Sequence, residues 1–184
     1  MLKLYVRWLG MVKSLALDEV NFVLKLLENN WSDARDAAGI NEHKPAATAI
    51  NFIDVRSIEP QKGRRVDADE KAIIIVYEDS ASISHNTIDW SVRDEEYSFT
   101  IHLRVLHQKD WADLTFSRTR LQSLYQIVRH IIERNGLRPK VVEGGVTYTA
   151  DLIDITGRNE ANDRGKRLLG YKMSVTMKRF GRTT

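Results

Sequence analysis

The tripeptide Asp69-Glu70-Lys71 has the acid-x-Lys spacing used by magnesium-dependent enzymes that cut phosphodiesters, and Asp54 lies upstream as a candidate first metal carboxylate. Two features argue against that chemistry. The tripeptide stands beside Asp67 at the mouth of an apolar stretch rather than inside it, and Glu42-His43-Lys44 supplies a second acid-x-Lys in the same chain. The bland reading is a solvated, charged turn. The five histidines show no metal-ligand spacing. His43 and His85 fall in polar loops and His130 on a helix, while His102 and His107, five positions apart, point to opposite faces of a regular strand. No serine elbow, glycine-rich phosphate loop or HExxH is present, and Gly144-Gly145 reads as a turn before a strand. No catalytic, metal or cofactor residue is assigned, and an enzyme is disfavoured.

The basic residues are a stronger chemical signal. Arg158, Arg164, Lys166 and Arg167 share a polar, glycine-bounded connection, and Lys178, Arg179 and Arg182 follow it. Together they can neutralise several phosphates. Tyr171 and Phe180 are not spaced as a base-stacking platform, however, and no helix-turn-helix or ribonucleoprotein signature is legible. Nonspecific contact with nucleic acid and a solvated basic tail are both compatible with the pattern. Trp90 and Trp111 stand in polar surroundings at either end of a long strand. Exposed, they would anchor an interface; folded back, they would belong to the core. The candidate interaction residues are therefore Trp90, Trp111, Arg158, Arg164, Lys166 and Arg167.

The elements that must carry these residues centre on Glu95–Gly136. Tyr97, Phe99, Ile101, Leu103 and Val105 alternate with mostly polar neighbours, the period of a half-buried strand. Leu121, Leu124, Tyr125, Val128, Ile131 and Ile132 then form one apolar stripe of a helix over Arg118–Asn135. Asn135-Gly136 supplies a left-handed stop and Pro139 prevents resumption. An earlier helix is expected over Leu17–Trp31, with Ser14 as a cap, Asp18 and Glu19 in its first turn, and Val23 and Leu26 widening its apolar side toward a second subunit. Residues 32–47 lose that period and read as a loop. Strands are expected at Ala49–Val55 and Ala72–Tyr77, the second apolar on both faces as in a covered central strand. Residues 79–94 read as a protruding loop holding Trp90. Val146–Thr156 alternates and then slips by one, which suggests a bulge or a strand passing from the core to another surface, and Leu169–Met177 completes a hairpin with a long basic tip over 157–167. The fold expected is α+β: a mostly antiparallel sheet with two helices on one face, in the order α-β-β-β-α-β-β.

A chain of 184 residues is most economically one domain. The division expected is a basic N-terminal extension over 1–14, a single α+β domain over 15–180, and a tail over 181–184. With 42% hydrophobic and 29% charged residues the composition is that of an ordinary folded domain, and no apolar run reaches the roughly 20 residues of a membrane span. Zero cysteines exclude disulfides and thiolate metal sites. The net charge of +3 is unevenly spread: residues 1–13 carry +3 and residues 157–184 carry +6, so these ends total +9 and the rest of the chain holds −6. Such blocks suit self-association or a charged partner.

In arrangement the chain resembles the tail terminator and tail-completion proteins of long-tailed phages and related viruses. The likeness rests on the opening amphipathic helix, the three-strand meander, the helix Arg118–Asn135 and the closing pair Tyr148-Thr149-Ala150-Asp151-Leu152 and Tyr171-Lys172-Met173-Ser174-Val175. It covers nearly all of residues 15–180 and transfers no functional residue. What it implies is a virion structural protein, assembled in the host cytoplasm. Its subunits would form a ring, commonly sixfold, that caps the tail tube and joins it to the neck or connector, with DNA passing through without specific binding. Basic ends and an acidic body offer complementary surfaces for closing such a ring, and residues 158–167 are expected to meet acidic protein rather than line the channel. The alternatives are a metal-dependent nuclease of the PD-(D/E)xK type, whose core also runs helix, three strands, helix, strand, and a nonspecific nucleic-acid-binding module.

Overall fold

The computed structural model describes residues 18–40, 51–54, 72–85, 92–106, 115–162 and 168–183. In chain order these form α1 (Glu19–Ala37), β1 (Asn51–Asp54), β2 (Ala72–His85), β3 (Val92–Leu106), α2 (Thr115–Arg134), β4 (Lys140–Glu143), β5 (Val146–Thr149), β6 (Leu152–Glu160) and β7 (Leu168–Thr183). One five-stranded sheet runs β1-β2-β3-β7-β6, and β4-β5 is a separate hairpin. All pairings are antiparallel except β1 with β2, which is parallel. The α+β architecture with a mostly antiparallel sheet is thus the one its periodicities predict.

Register explains the two faces. Ala72, Ile74 and Val76 of β2 stand opposite Val105, Leu103 and Ile101 of β3, which in turn stand opposite Leu169, Tyr171 and Met173 of β7. Side chains paired this way share a face, and they join α1 and α2 in one core with Phe99, Val175, Met177 and Ile153. Leucine, isoleucine and phenylalanine side chains buried there contribute about 1.5–3 kcal/mol each. The opposite face carries Ser98, Thr100, His102 and Arg104 of β3 beside Ser174 and Lys172 of β7.

Several boundaries differ from the sequence expectation, each for a physical reason. α1 is capped by Asp18, whose Oδ1 accepts from the Asn21 amide at 2.8 Å; Ser14 lies outside the described residues. The helix continues past Trp31 through Ala37, because Ala34 extends the buried stripe by another turn, and it stops at Gly39 with φ 65°. Its wide apolar side faces its own core: Phe22, Val23, Leu26 and Leu27 are all fully buried, so none remains for a second subunit. At the end of α2, Gly136 is not left-handed. The turn closes instead with Asn135 Nδ2 donating to the Ile131 carbonyl, while Gly136 lets the chain approach β6, accepting from the Ile153 amide at 2.9 Å. The left-handed residue is Arg138, φ 51°.

The slip over 146–156 comes with both a break between β5 and β6 and a bulge, the β6–β7 register shifting between Ile155 and Gly157. Ala150 and Asp151 separate β5 from β6, and β5 pairs back onto the unexpected β4 through Gly144-Gly145, with φ of 59° and 80°. Residues 79–94 are mainly strand, since β2 runs to His85 and β3 begins at Val92. Gly157–Glu160 likewise belong to β6, and 181–183 are the paired end of β7 rather than a tail. No helix of the described residues is long and apolar enough to cross a membrane.

Candidate interaction surface

The outer parts of β3 and β7 are tied to α1 by one charged cluster. Glu95 of β3 is buried, its Oε1 2.8 Å from Arg93 Nε and its Oε2 accepting from the Tyr97 hydroxyl at 3.1 Å. Arg179 of β7 reaches Glu19 in the first turn of α1 at 3.0 Å and Glu95 at 3.7 Å, with its guanidinium over the Phe22 and Tyr97 rings. Two arginines and two glutamates balance one another, so the partly buried charges are paired rather than isolated. Burial, with the Glu19 and Glu95 carboxylates beside it, pushes the Tyr97 hydroxyl up to about 12. The cluster joins three elements far apart in sequence and clamps the start of α1 to the sheet.

At the level of that clamp, from Asp79 onward, the outer stretch of β2 forms an exposed arm. Every residue of β2 from Asp79 to His85 is exposed, and Ile83 is 50% exposed. Ser80–His85 still pair with Ser98–Arg93, and β7 follows alongside β3 to Thr183. A bulge between Glu78 and Ser80 marks where the arm begins, and Asp79 accepts there from the Thr100 hydroxyl at 2.7 Å. The backbone pairing is that of a strand, while the side chains have the exposure of a loop, which is why no burial pattern announced it.

The basic hairpin is anchored at its root. Gly170 of β7 is crossed closely by the chain leaving β6: an added Cβ would lie 2.8 Å from the Leu103 carbonyl oxygen and 2.9 Å from that of Ala161. Only glycine fits such an approach. Ala161 donates to the Gly170 carbonyl at 2.9 Å, and the Gly170 amide donates to Asn162 Oδ1 at 3.1 Å. His102 closes the same knot. Its ring hydrogen-bonds to the Ala161 backbone and lies against the Arg104 guanidinium, with Nη2 3.2 Å from Nδ1. Burial first, then the positive charges of Arg104 and Lys172, lower its pKa to about 3, so the imidazole is neutral at physiological pH.

Of the six candidate residues, Arg158 is described, and the structure gives it a local role. Its guanidinium lies 4.5 Å from the Tyr125 centroid and 4.7 Å from that of Tyr171, bracing β6 against α2 and β7. Next to it an open cleft of about 560 Å³ is lined by Arg118, Gln122, Gln126, Glu160 and Asn162. Trp90, Trp111, Arg164, Lys166 and Arg167 lie outside the described residues, so the set is not brought together here. The acid-x-Lys tripeptide 69–71 lies outside them as well, and Asp54 is the last residue of β1. Among the described residues no three His, Asp or Glu side chains gather as a metal site.

Sequence reasoning named Arg179 and His102 without their packing roles, and it missed the roles of Glu95 and Gly170. Only Gly170 left a trace, as a lone glycine inside an alternating strand. The chain matches no known protein family and no curated protein.

Proposed function

We propose that the protein is a structural component of a tailed virion, a tail terminator or neck protein that assembles into a ring at the head-tail junction. The observation that carries this reading is the arm, the exposed outer stretch Asp79–His85 of β2, which runs beside the charged cluster that ties β3 and β7 to α1. Exposed sheet edges pair with other chains. The uneven charge adds complementarity, with +9 at the two ends against −6 between them. Rings need head-to-tail patches that differ and still close, and arm and basic hairpin supply two different patches on one subunit.

The test is charge reversal. Replacing Arg164, Lys166 and Arg167 together by Glu should abolish joining of the protein to tails or to its own copies while leaving the monomer folded. An unaffected triple variant would count against the reading. Incubation of the parent protein with DNA and magnesium should leave the DNA intact; cleavage would replace the structural reading with the nuclease.

A further inference from the structure

The cleft beside Arg158 has two unlike walls. One is a ridge of α2, where Arg118, Gln122 and Gln126 follow one another at intervals of four residues. The other is the end of β6, where Glu160 and Asn162 stand next to Tyr171 of β7. Leu121 and Leu169, both buried, form an apolar floor between them. The strand wall is held in place. Asn162 Oδ1 accepts from the Gly170 amide at 3.1 Å, its Nδ2 donates to Glu160 Oε2 at 3.2 Å, and Arg158 over the Tyr125 and Tyr171 rings ties the same strand to α2. The helix wall is unspent: among the described residues Arg118, Gln122 and Gln126 make no hydrogen bond or ion pair. At about 560 Å³ the space is that of a ligand site rather than a packing gap.

We infer that the cleft binds an extended, acidic segment of a partner protein, with one apolar residue of that segment on the floor. The spacing of the helix wall points to an extended chain. Four residues of helix advance about 6 Å, close to the roughly 6.6 Å between alternate residues of a strand, so Gln122 and Gln126 can meet alternate residues of a peptide laid along α2. A primary amide both donates and accepts, as a peptide unit requires. On the opposite wall the Glu160 carboxylate, which takes one bond from Asn162, keeps acceptor capacity for peptide N–H groups. Leu121 and Leu169 offer an apolar side chain a place out of water. Charge sets the sign of the ligand. Arg118 is exposed with its guanidinium unspent, and Arg158 stands beside the cleft, so two cations face the single carboxylate of Glu160. A free guanidinium binds a carboxylate through two parallel hydrogen bonds. A nucleic acid fits less well, because an apolar floor and an acidic wall both oppose a phosphate backbone. The groove is independent of the ring reading, since a single subunit presents it whole.

Retention of the protein on an array of immobilised octapeptides tests this. Each peptide carries one central Leu or Val between flanks drawn from Asp and Glu, from Ser and Thr, or from Lys and Arg. The acidic set should hold the parent about tenfold more strongly than the basic set, the scale of one hydrogen bond to a charged group. Arg118→Glu should move the preference to the basic set, an inversion that a merely structural role for Arg118 would not produce. Gln122→Ala combined with Gln126→Ala should weaken retention of the acidic set about tenfold. Neither glutamine is buried and alanine is the better helix former, so the double variant should unfold no earlier than the parent. Arg134→Glu, the same charge change at an exposed site in the last turn of α2, should leave the parent's pattern in place. Equal retention on all three sets, or on none, would overturn the inference, as would an acidic preference that survives Arg118→Glu. A labelled single-stranded oligonucleotide provides the other arm: binding tighter than to any acidic peptide, and lost in Arg118→Glu, would make the cleft a nucleic-acid site and remove the peptide.

Discussion

Replacing Gly170 by alanine probes the knot at the root of the basic hairpin with one methyl group. The added Cβ would sit 2.8 Å from the Leu103 carbonyl oxygen, 2.9 Å from the Ala161 carbonyl oxygen and 3.1 Å from His102 Nε2. Two of these neighbours are backbone on β3 and on the chain leaving β6, so relief requires a shift of β7 or loss of the Ala161–Gly170 hydrogen bond. Overpacking of this kind costs about 1–3 kcal/mol. For a chain of this size that corresponds to a fall in Tm of about 2–10 °C. Gly157, on the neighbouring strand, is the internal control. A Cβ there would come no nearer than 3.9 Å to Ser174, so Gly157→Ala should be neutral within about 0.5 kcal/mol. Urea and thermal unfolding of the two variants beside the parent measure the difference. If Gly170→Ala and Gly157→Ala unfold together, the close crossing at Gly170 does not exist as described.

Three further outcomes follow from the same geometry. His102 has a folded pKa of about 3 against 6.5 when unfolded, so the unfolded chain takes up the proton first and stability is lost as pH falls below 6.5. That contribution is about 2 kcal/mol between pH 7 and pH 5; His102→Gln should lose correspondingly less over the same interval in urea titrations, and an unchanged pH dependence would refute the assignment. Glu95→Ala leaves Arg93 and Arg179 short of a buried partner and should destabilise by about 3 kcal/mol in equilibrium unfolding; a loss below about 0.5 kcal/mol would show that the cluster is not what ties α1 to the sheet. Arg158→Ala removes a stacked cation at an exposed position and should cost only about 0.5–1 kcal/mol by the same measurement, with a larger loss indicating burial that the stacking does not account for.

The parts of the fold legible in the sequence are those whose residues must choose a side. Tyr97–Val105 and Leu121–Ile132 each face a core, and their periods of two and 3.6 give β3 and α2 directly. β2 shows where this fails: Ala72–Val76, buried on both faces, stands out as an apolar run, whereas Asp79–His85, exposed on both, makes no such choice and looks like a loop. Gly144-Gly145 between two short runs was a hairpin signal, and it marks the missed β4–β5 pair. Capping was local and half readable, since Asp18 and Ser14 both offer a suitable oxygen and only the backbone decides between them. The clamp was not readable at all. Glu19, Glu95 and Arg179 are brought together by strand register and helix placement, which a linear pattern of charges does not contain.

Assembly state tests the central claim most directly. Light scattering of the protein, over a range of concentrations and with tail tubes as a template, should reveal a discrete closed species whose mass is a small whole multiple of the 21.2 kDa chain. A single-chain mass under all those conditions, with no association on the tubes, would contradict a ring-forming protein.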